Sequence, residues 1–232
     1  MSADNQQETL TLRGSSETTR ETLSVEICEA YLQGALHDGT FNKRNQRFRF
    51  CQIGSDWLKV LQSCLHITGN HSWIYKEGKY RKVYVLETLA DFLDVNFDPL
   101  TLETLAEKQA YIRGFFDAEG GIPKNPNSRF YIQLVQNGTM KLQKIKPILT
   151  ELGISTGIIH NPSVKVDPDY HRMFVVSNSR SRFIETIGSW HPRKLKTLQQ
   201  RKEDDIVHAL WRHRENMNKA SVAEAVDGSP PF

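Results

Sequence analysis

Cysteine is scarce in this chain of 232 residues. Cys28, Cys51 and Cys64 are odd in number, and no two have a C-x-x-C spacing. That excludes a disulfide framework and a thiolate zinc site, and it fits a reducing compartment. Long apolar runs are missing as well. Nothing approaches the ~20 apolar residues of a spanning helix, and the mean hydropathy is -0.51. The polar stretch from Met1 to Thr9 lacks the basic start and apolar centre of a secretory signal. These absences predict an intracellular protein, cytoplasmic or organellar, with no membrane partner. G-x-x-x-x-G-K-[ST], G-x-G-x-x-G and G-x-S-x-G are also absent, so phosphate-loop nucleotide binding and serine hydrolysis have no support.

What is present is an uneven charge. The whole chain carries a net +3, but residues 1–23 hold two basic and four acidic side chains, and residues 203–232 hold three basic and six acidic. The body between them holds 25 Lys and Arg against 17 Asp and Glu. A basic body with acidic ends suits a polyanionic partner. Lys43, Arg44, Arg47 and Arg49 crowd the stretch from Phe41 to Ile53, which contains no acid.

The body reads as two copies of one unit. Ala30-Tyr31-Leu32-Gln33-Gly34 matches Ala110-Tyr111-Ile112-Arg113-Gly114, followed by Asp38-Gly39 and Glu119-Gly120. Strand-like runs come next, Arg47 to Gln52 and Arg129 to Gln136. They end in Gln52-Ile53-Gly54-Ser55 and Gln136-Asn137-Gly138-Thr139. Ser55 and Thr139 are expected to cap helices over Asp56 to Leu65 and Met140 to Leu152. Weak strands follow near Ser72 to Tyr75 and Gly157 to His160. Stronger ones follow over Tyr80 to Val85 and Tyr170 to Val175, with short helices at Leu86 to Leu93 and Arg180 to Ile187. The fold class is therefore α/β (α+β), a tandem αββαββα repeat. Its predicted parts are an arm (1–23), a first half (24–100), a linker (101–104), a second half (105–202), and a C-terminal helix and tail (203–232).

In Gly114-Phe115-Phe116-Asp117-Ala118-Glu119-Gly120, Gly114 and Ala118 share a helix face and leave a shallow groove for another helix. Two such helices side by side would bring two carboxylates together at their C-terminal ends. Crowded carboxylates beside negative helix ends call for a cation. Oxygen ligands with open positions suit Mg²⁺ bound jointly with phosphate.

These residues resemble the LAGLIDADG homing endonucleases, closely in the second motif and more loosely from Tyr31 to Gly39. The two-copy layout is similar to the single-chain members. The resemblance implies a pseudo-twofold monomer with two saddle-shaped antiparallel sheets in the major groove of double-stranded DNA, cutting both strands with divalent metal, Mg²⁺. It implies that Asp38 and Glu119 hold the metals and that Gln52 and Gln136, at strand ends, help place water. Lys194 is the first candidate for the basic residue of the site, followed by Lys82 and Arg172. Two sheets in successive major-groove faces would cover a long, asymmetric site on the order of 20 bp.

The first motif is one residue short. Four residues separate Gly114 from Glu119, but three separate Gly34 from Asp38. Counting back from Asp38 puts His37 in the place of Ala118. Either the helix register shifts, or this half of the site is distorted, or Asp38-Gly39 is only a turn.

Alternation on the basic strands puts Arg129, Tyr131 and Gln133 on one face and Phe130, Ile132 and Leu134 on the other. It likewise opposes Arg47 and Arg49 to Phe48 and Phe50. The polar faces can reach base edges and phosphates. Lys43, Arg44 and Lys124 lie in hairpin regions and are expected to touch phosphate. The histidines, including His191, His208 and His213, have no metal-ligand spacing, and Trp57, Trp73, Trp190 and Trp211 read as packing residues. Two other functions use the same features: a DNA-binding protein that does not cleave, and an RNA maturase assisting intron splicing.

Overall fold

Two helices, α1 (Val25–Ala35) and α3 (Leu105–Glu119), lie against each other at the centre of the molecule. The computed structural model describes residues 23–125 and 128–203. Apart from Leu23 and Glu203, the expected arm and tail lie outside the described residues, and with them His208, Trp211 and His213. Each central helix starts at a side-chain cap. The Ser24 hydroxyl accepts from the Ile27 amide at 3.4 Å, and Thr104 forms a reciprocal capping box with Glu107. Beyond the first turns the sequence is mostly apolar, with Gln33, Arg113 and Asp117 as polar exceptions, and Ala30–Ala35 and Ala110–Asp117 are buried without a break.

The seam between the two helices is set by glycine. A Cβ placed on Gly34 would lie 2.0 Å from the Tyr111 carbonyl oxygen, and one on Gly114 would lie 2.0 Å from that of Tyr31. Each helix therefore presents its glycine to the other's tyrosine backbone, in a reciprocal pairing. The sequence expectation placed Gly114 and Ala118 together in the groove. The close approach is centred on Gly114 and Gly34, while Ala118 is half-buried at its edge.

One sheet flanks each half, and every pairing is antiparallel. The first has the order β1 (Gly39–Asn42), β2 (Arg47–Ile53), β4 (Val83–Thr88), β3 (Ser72–Lys76). The second runs β5 (Gly120–Gly121), β6 (Gln133–Asn137), β7 (Tyr170–Phe174). Single bridges from Thr156 to Val175 and from His160 to Arg172 continue it where a fourth strand was expected. The strands thus follow one another in the same spatial order in both halves. Helices α2 (Asp56–Ile67), α4 (Met140–Glu151) and α5 (Arg180–Thr186) complete the units, and α6 covers residues 192–203. Gly54 and Gly138, which end the equivalent strands β2 and β6, turn the chain at φ +88° and +76°, a conformation that costs glycine nothing. Among the described residues, no helix is long and apolar enough to cross a membrane.

Three local expectations are corrected. No helix forms over Leu86 to Leu93: β4 continues through Thr88, as the β-branched and aromatic residues of Val-Tyr-Val favour. The Thr88 hydroxyl then accepts from the Ala90 amide at 3.2 Å and breaks the chain into turns. Strand β6 begins at Gln133 rather than Arg129, and β4 at Val83 rather than Tyr80. Ser55 and Thr139 do occupy the positions before α2 and α4, but their backbones are already helical and their side chains make no capping bond.

Candidate active site

Asp38 and Glu119 end the two central helices at the bottom of the seam, although the first motif is a residue shorter. Helix α3 stays α-helical through Glu119, whereas α1 stops at Ala35 and continues as a 3₁₀ turn, Leu36–Asp38. A 3₁₀ turn rises roughly 2.0 Å per residue against roughly 1.5 Å for an α-helix. Five α steps from Gly114 to Glu119 and one α plus three 3₁₀ steps from Gly34 to Asp38 both come to about 7.5 Å. The rotations, at about 100° and 120° per step, end within about 40° of each other. Overwinding the last turn makes good the missing residue, so Asp38 ends the helix and is not merely a turn residue.

His37 does not take the place of Ala118, as counting back from Asp38 suggested. Counted forward from glycine, it is equivalent to Asp117, and its contacts agree. The Tyr31 hydroxyl donates to Asp117 at 2.8 Å, and across the same seam the Tyr111 hydroxyl lies 3.0 Å from Nε2 of His37. The deleted position is the one Ala118 fills. Burial holds His37 well below its ordinary value, to about 4, so the ring is neutral near pH 7. Its Nδ1 then accepts from the Gln136 amide nitrogen at 2.8 Å.

Asp117 was not singled out in the sequence. It is 2% exposed, and its carboxylate accepts from Tyr31, from Ser189, and from the backbone amides of Trp190 and His191 at 2.8 and 3.0 Å. Trp57 in turn donates to the Tyr31 hydroxyl at 2.9 Å. This network ties α1, α2, α3 and the segment before α6 together. Burial pushes the carboxyl up, and its hydrogen-bond donors and Lys194 pull against that. The signal for it was its place three residues after Gly114, on the face that meets α1.

The two expected ligands sense each other. Burial and the Asp38 charge raise Glu119 to about 7, and burial raises Asp38, opposed by Gln52 and Lys194. Lys194 is 3% exposed, in the first turn of α6. It donates to the carbonyls of Phe116 and Asp117, so it caps the C-terminal end of α3 behind the acids. Burial lowers it to about 8, with Asp117, Glu119 and Asp38 holding it up. Lys82 and Arg172 stand beside the strand ends of the two halves. The Lys82 carbonyl accepts from Gly54, and Arg172 lies over the Phe174 ring at 4.9 Å and beside His160.

The two glutamines differ. Gln52 donates directly to Asp38, whereas Gln136 is held by His37 from the other half. Among the described residues, no group of three or more His, Cys, Asp and Glu could enclose a metal. A raised, mutually repelling carboxylate pair nonetheless fits a hard divalent cation that takes its remaining ligands from phosphate and water.

The expected duplex-facing residues fall in several places. Lys43 and Arg44 lie exposed in the β1–β2 turn, where the Asn42 side chain accepts from the Arg44 amide at 3.1 Å. Lys124, Tyr131 and Gln133 line one groove of about 520 Å³, together with Arg193, which the sequence reading passed over. Arg129 is exposed nearby in sequence. Arg47 and Arg49 face away from Phe48 and Phe50 as expected, but both are paired with Glu87. Trp73 is not a core residue: it lies under the Arg47 guanidinium, 4.7 Å from the ring centre.

Residues 106–188 match the model of the LAGLIDADG-like domain. The chain is 28% identical over 192 residues to the homing endonuclease I-ApeI of Aeropyrum pernix, covering 73% of this chain and 85% of that protein. Its fold is similar to that of I-DmoI, solved in complex with DNA and Mn, with a TM-score of 0.54 and 20% identity over 71% of this chain and 98% of that one. It is also similar to full-length DUF199/WhiA from Thermatoga maritima, with a TM-score of 0.58 and 18% identity over 88% of this chain and 69% of that one. With two motifs paired glycine to tyrosine on one chain and two sheets in the same strand order, this protein is similar to the single-chain LAGLIDADG proteins, and its second half carries the LAGLIDADG-like domain.

Proposed function

We propose that this protein is a site-specific endonuclease of double-stranded DNA, using divalent metal, Mg²⁺ among the candidates, held by Asp38 and Glu119. The observation that carries the reading is the acid pair itself. Asp38 and Glu119 end the two paired helices, and burial, together with the charge of Asp38, raises Glu119 to about 7. The relationship to I-ApeI, named a homing endonuclease, and to I-DmoI, solved with DNA and Mn, supports it.

A bound divalent cation would supply activation of water and charge for the leaving oxygen. The chain's own residues do the rest. Asp38 and Glu119 bind in their ionised forms. Gln52, held on Asp38, and Gln136, held on His37, would orient water in the two halves. Lys194 acts from behind the acids, favouring their ionised forms and capping α3, rather than touching phosphate from a buried position. The outer faces of the two sheets, with Lys43, Arg44, Arg47 and Arg49 on one and Lys124, Arg129, Tyr131 and Gln133 on the other, hold phosphates and read base edges. Because the two faces carry different sets of side chains, the site they read is asymmetric, and two halves on one chain let it act as a monomer on a long target.

A DNA-binding protein without cleavage is the second reading. The shortened first motif, with His37 rather than a carboxylate against the Tyr111 hydroxyl, favours it. One experiment separates the two: exposing a supercoiled plasmid library with randomised inserts to the protein, with and without Mg²⁺, then capturing and sequencing new ends. The endonuclease reading predicts metal-dependent ends at one recurring sequence. Sequence-selective binding with no new ends would establish the second reading instead.

A further inference from the structure

A carboxylate is buried in the one surface where a DNA-binding protein should have none. Glu87 of β4 is in register with Arg49 of β2 on one side and Trp73 of β3 on the other. Phe48 and Phe50 of β2 enter the core, so Arg47 and Arg49 point to the open face, and Glu87 points there with them. Yet Glu87 is only 7% exposed. One carboxylate oxygen lies 3.1 Å from Nη1 of Arg47. The other lies 3.1 Å from Nε of Arg49 and accepts from the Tyr75 hydroxyl at 3.1 Å. Arg49 also reaches Glu77 at 3.3 Å.

Burying a carboxylate is unfavourable unless charges and hydrogen bonds compensate it. A negative charge facing a polyanion also weakens association. A surface selected only for affinity would discard it. What the arrangement does is take two arginines out of the pool of free cations and fix their guanidinium planes, one on Trp73 and one between two glutamates. Cations free to settle on any phosphate bind every sequence alike. Cations already held release their pairing only where base edges offer bonds good enough to compete.

We infer that Glu87 is a specificity-determining residue: it restrains Arg47 and Arg49 so that they contribute little to binding arbitrary DNA. The inference rests on the duplex-binding part of the proposed function. The test is the salt dependence of binding to a mixed-sequence 30-bp duplex, measured for the wild type, Glu87→Gln, and Glu87→Gln combined with Arg47→Ala and Arg49→Ala. Freeing the two arginines should steepen the log–log salt slope of Glu87→Gln by up to ~0.9 for each, or up to ~1.8 together. Binding of this duplex should tighten at low salt, and the triple variant should lose the gain. Glu87→Met, close in size and without charge, should show the same rise, and serves if the amide variant does not fold. A Glu87 variant that folds with an unchanged or shallower slope overturns the inference. A wild-type protein with no salt-dependent affinity for any duplex overturns the proposed function itself, and this inference with it.

Discussion

Nε2 of His37 lies 3.0 Å from the Tyr111 hydroxyl, in the position that Asp117 occupies against Tyr31 on the other side of the seam. A neutral imidazole thus stands in one half where a carboxylate stands in the other. The consequence is local. Asp117 gathers the segment from Ser189 to His191, while His37 reaches to Gln136. The two half-sites share a backbone plan but do not share a hydrogen-bond network.

From this asymmetry, His37→Ala should free Gln136 while leaving the Gln52–Asp38 pair intact. The variant should cut one strand of its site more slowly than the other and accumulate nicked circles. Strand-resolved cleavage of an end-labelled duplex measures this. Equal slowing of both strands would show that Gln136 does not serve one half alone.

Asp117→Asn should destabilise without removing a ligand. All four of its partners donate to it, and three share one oxygen, so an amide group must keep its oxygen there and turn its nitrogen to Ser189, whose hydroxyl must then give up its donation. Losing the charge from this set of hydrogen bonds costs about 1–3 kcal/mol. Chemical denaturation should report a loss in that range or above.

Gly34→Ala and Gly114→Ala should each force the central helices apart, because the new methyl group meets backbone and not a flexible side chain. Overpacking of this kind costs about 1–3 kcal/mol, and the resulting fall in Tm is measurable by thermal melting. DNA cleavage should fall further than stability does, since the same displacement separates Asp38 from Glu119.

Gly114 was legible as the place where another helix packs because that depends on spacing along one helix, though its reciprocal partner Gly34 was not, and the repeat was legible because strand and helix periods recur in order. The compensation at Asp38 was not. A short motif looks like a deletion on paper, and only the choice between 3.6 and 3.0 residues per turn restores the acid to its level. The pairing of Arg47 and Arg49 was hidden for a similar reason. Glu87 lies 38 positions beyond Arg49 in the chain, and only the register of β2 with β4 brings them side by side. Arg193, too, joins the groove of the second sheet from a helix far along the chain.

The acid pair makes a pH prediction with a definite sign. Glu119 titrates at about 7 in the folded protein against an ordinary 4.5, so the folded state holds a proton that the unfolded state has lost between those values. Stability of the metal-free protein from this group is therefore greatest below 4.5, falls as pH rises through the window, and levels off above about 7. A divalent cation takes the proton's place. Calorimetric titration with Mg²⁺ in two buffers of different ionisation enthalpy should show proton release below pH 7 and affinity rising with pH until about 7. Affinity independent of pH across that window would remove Glu119 from the binding group.

Cleavage of a mapped target duplex by Asp38→Asn and Glu119→Gln, in Mg²⁺ and beside the wild type, tests the account most directly. Both variants should keep duplex affinity within a few-fold and lose cleavage of both strands, because the two carboxylates act on one shared centre. Cutting of both strands at the wild-type rate by either variant would contradict it.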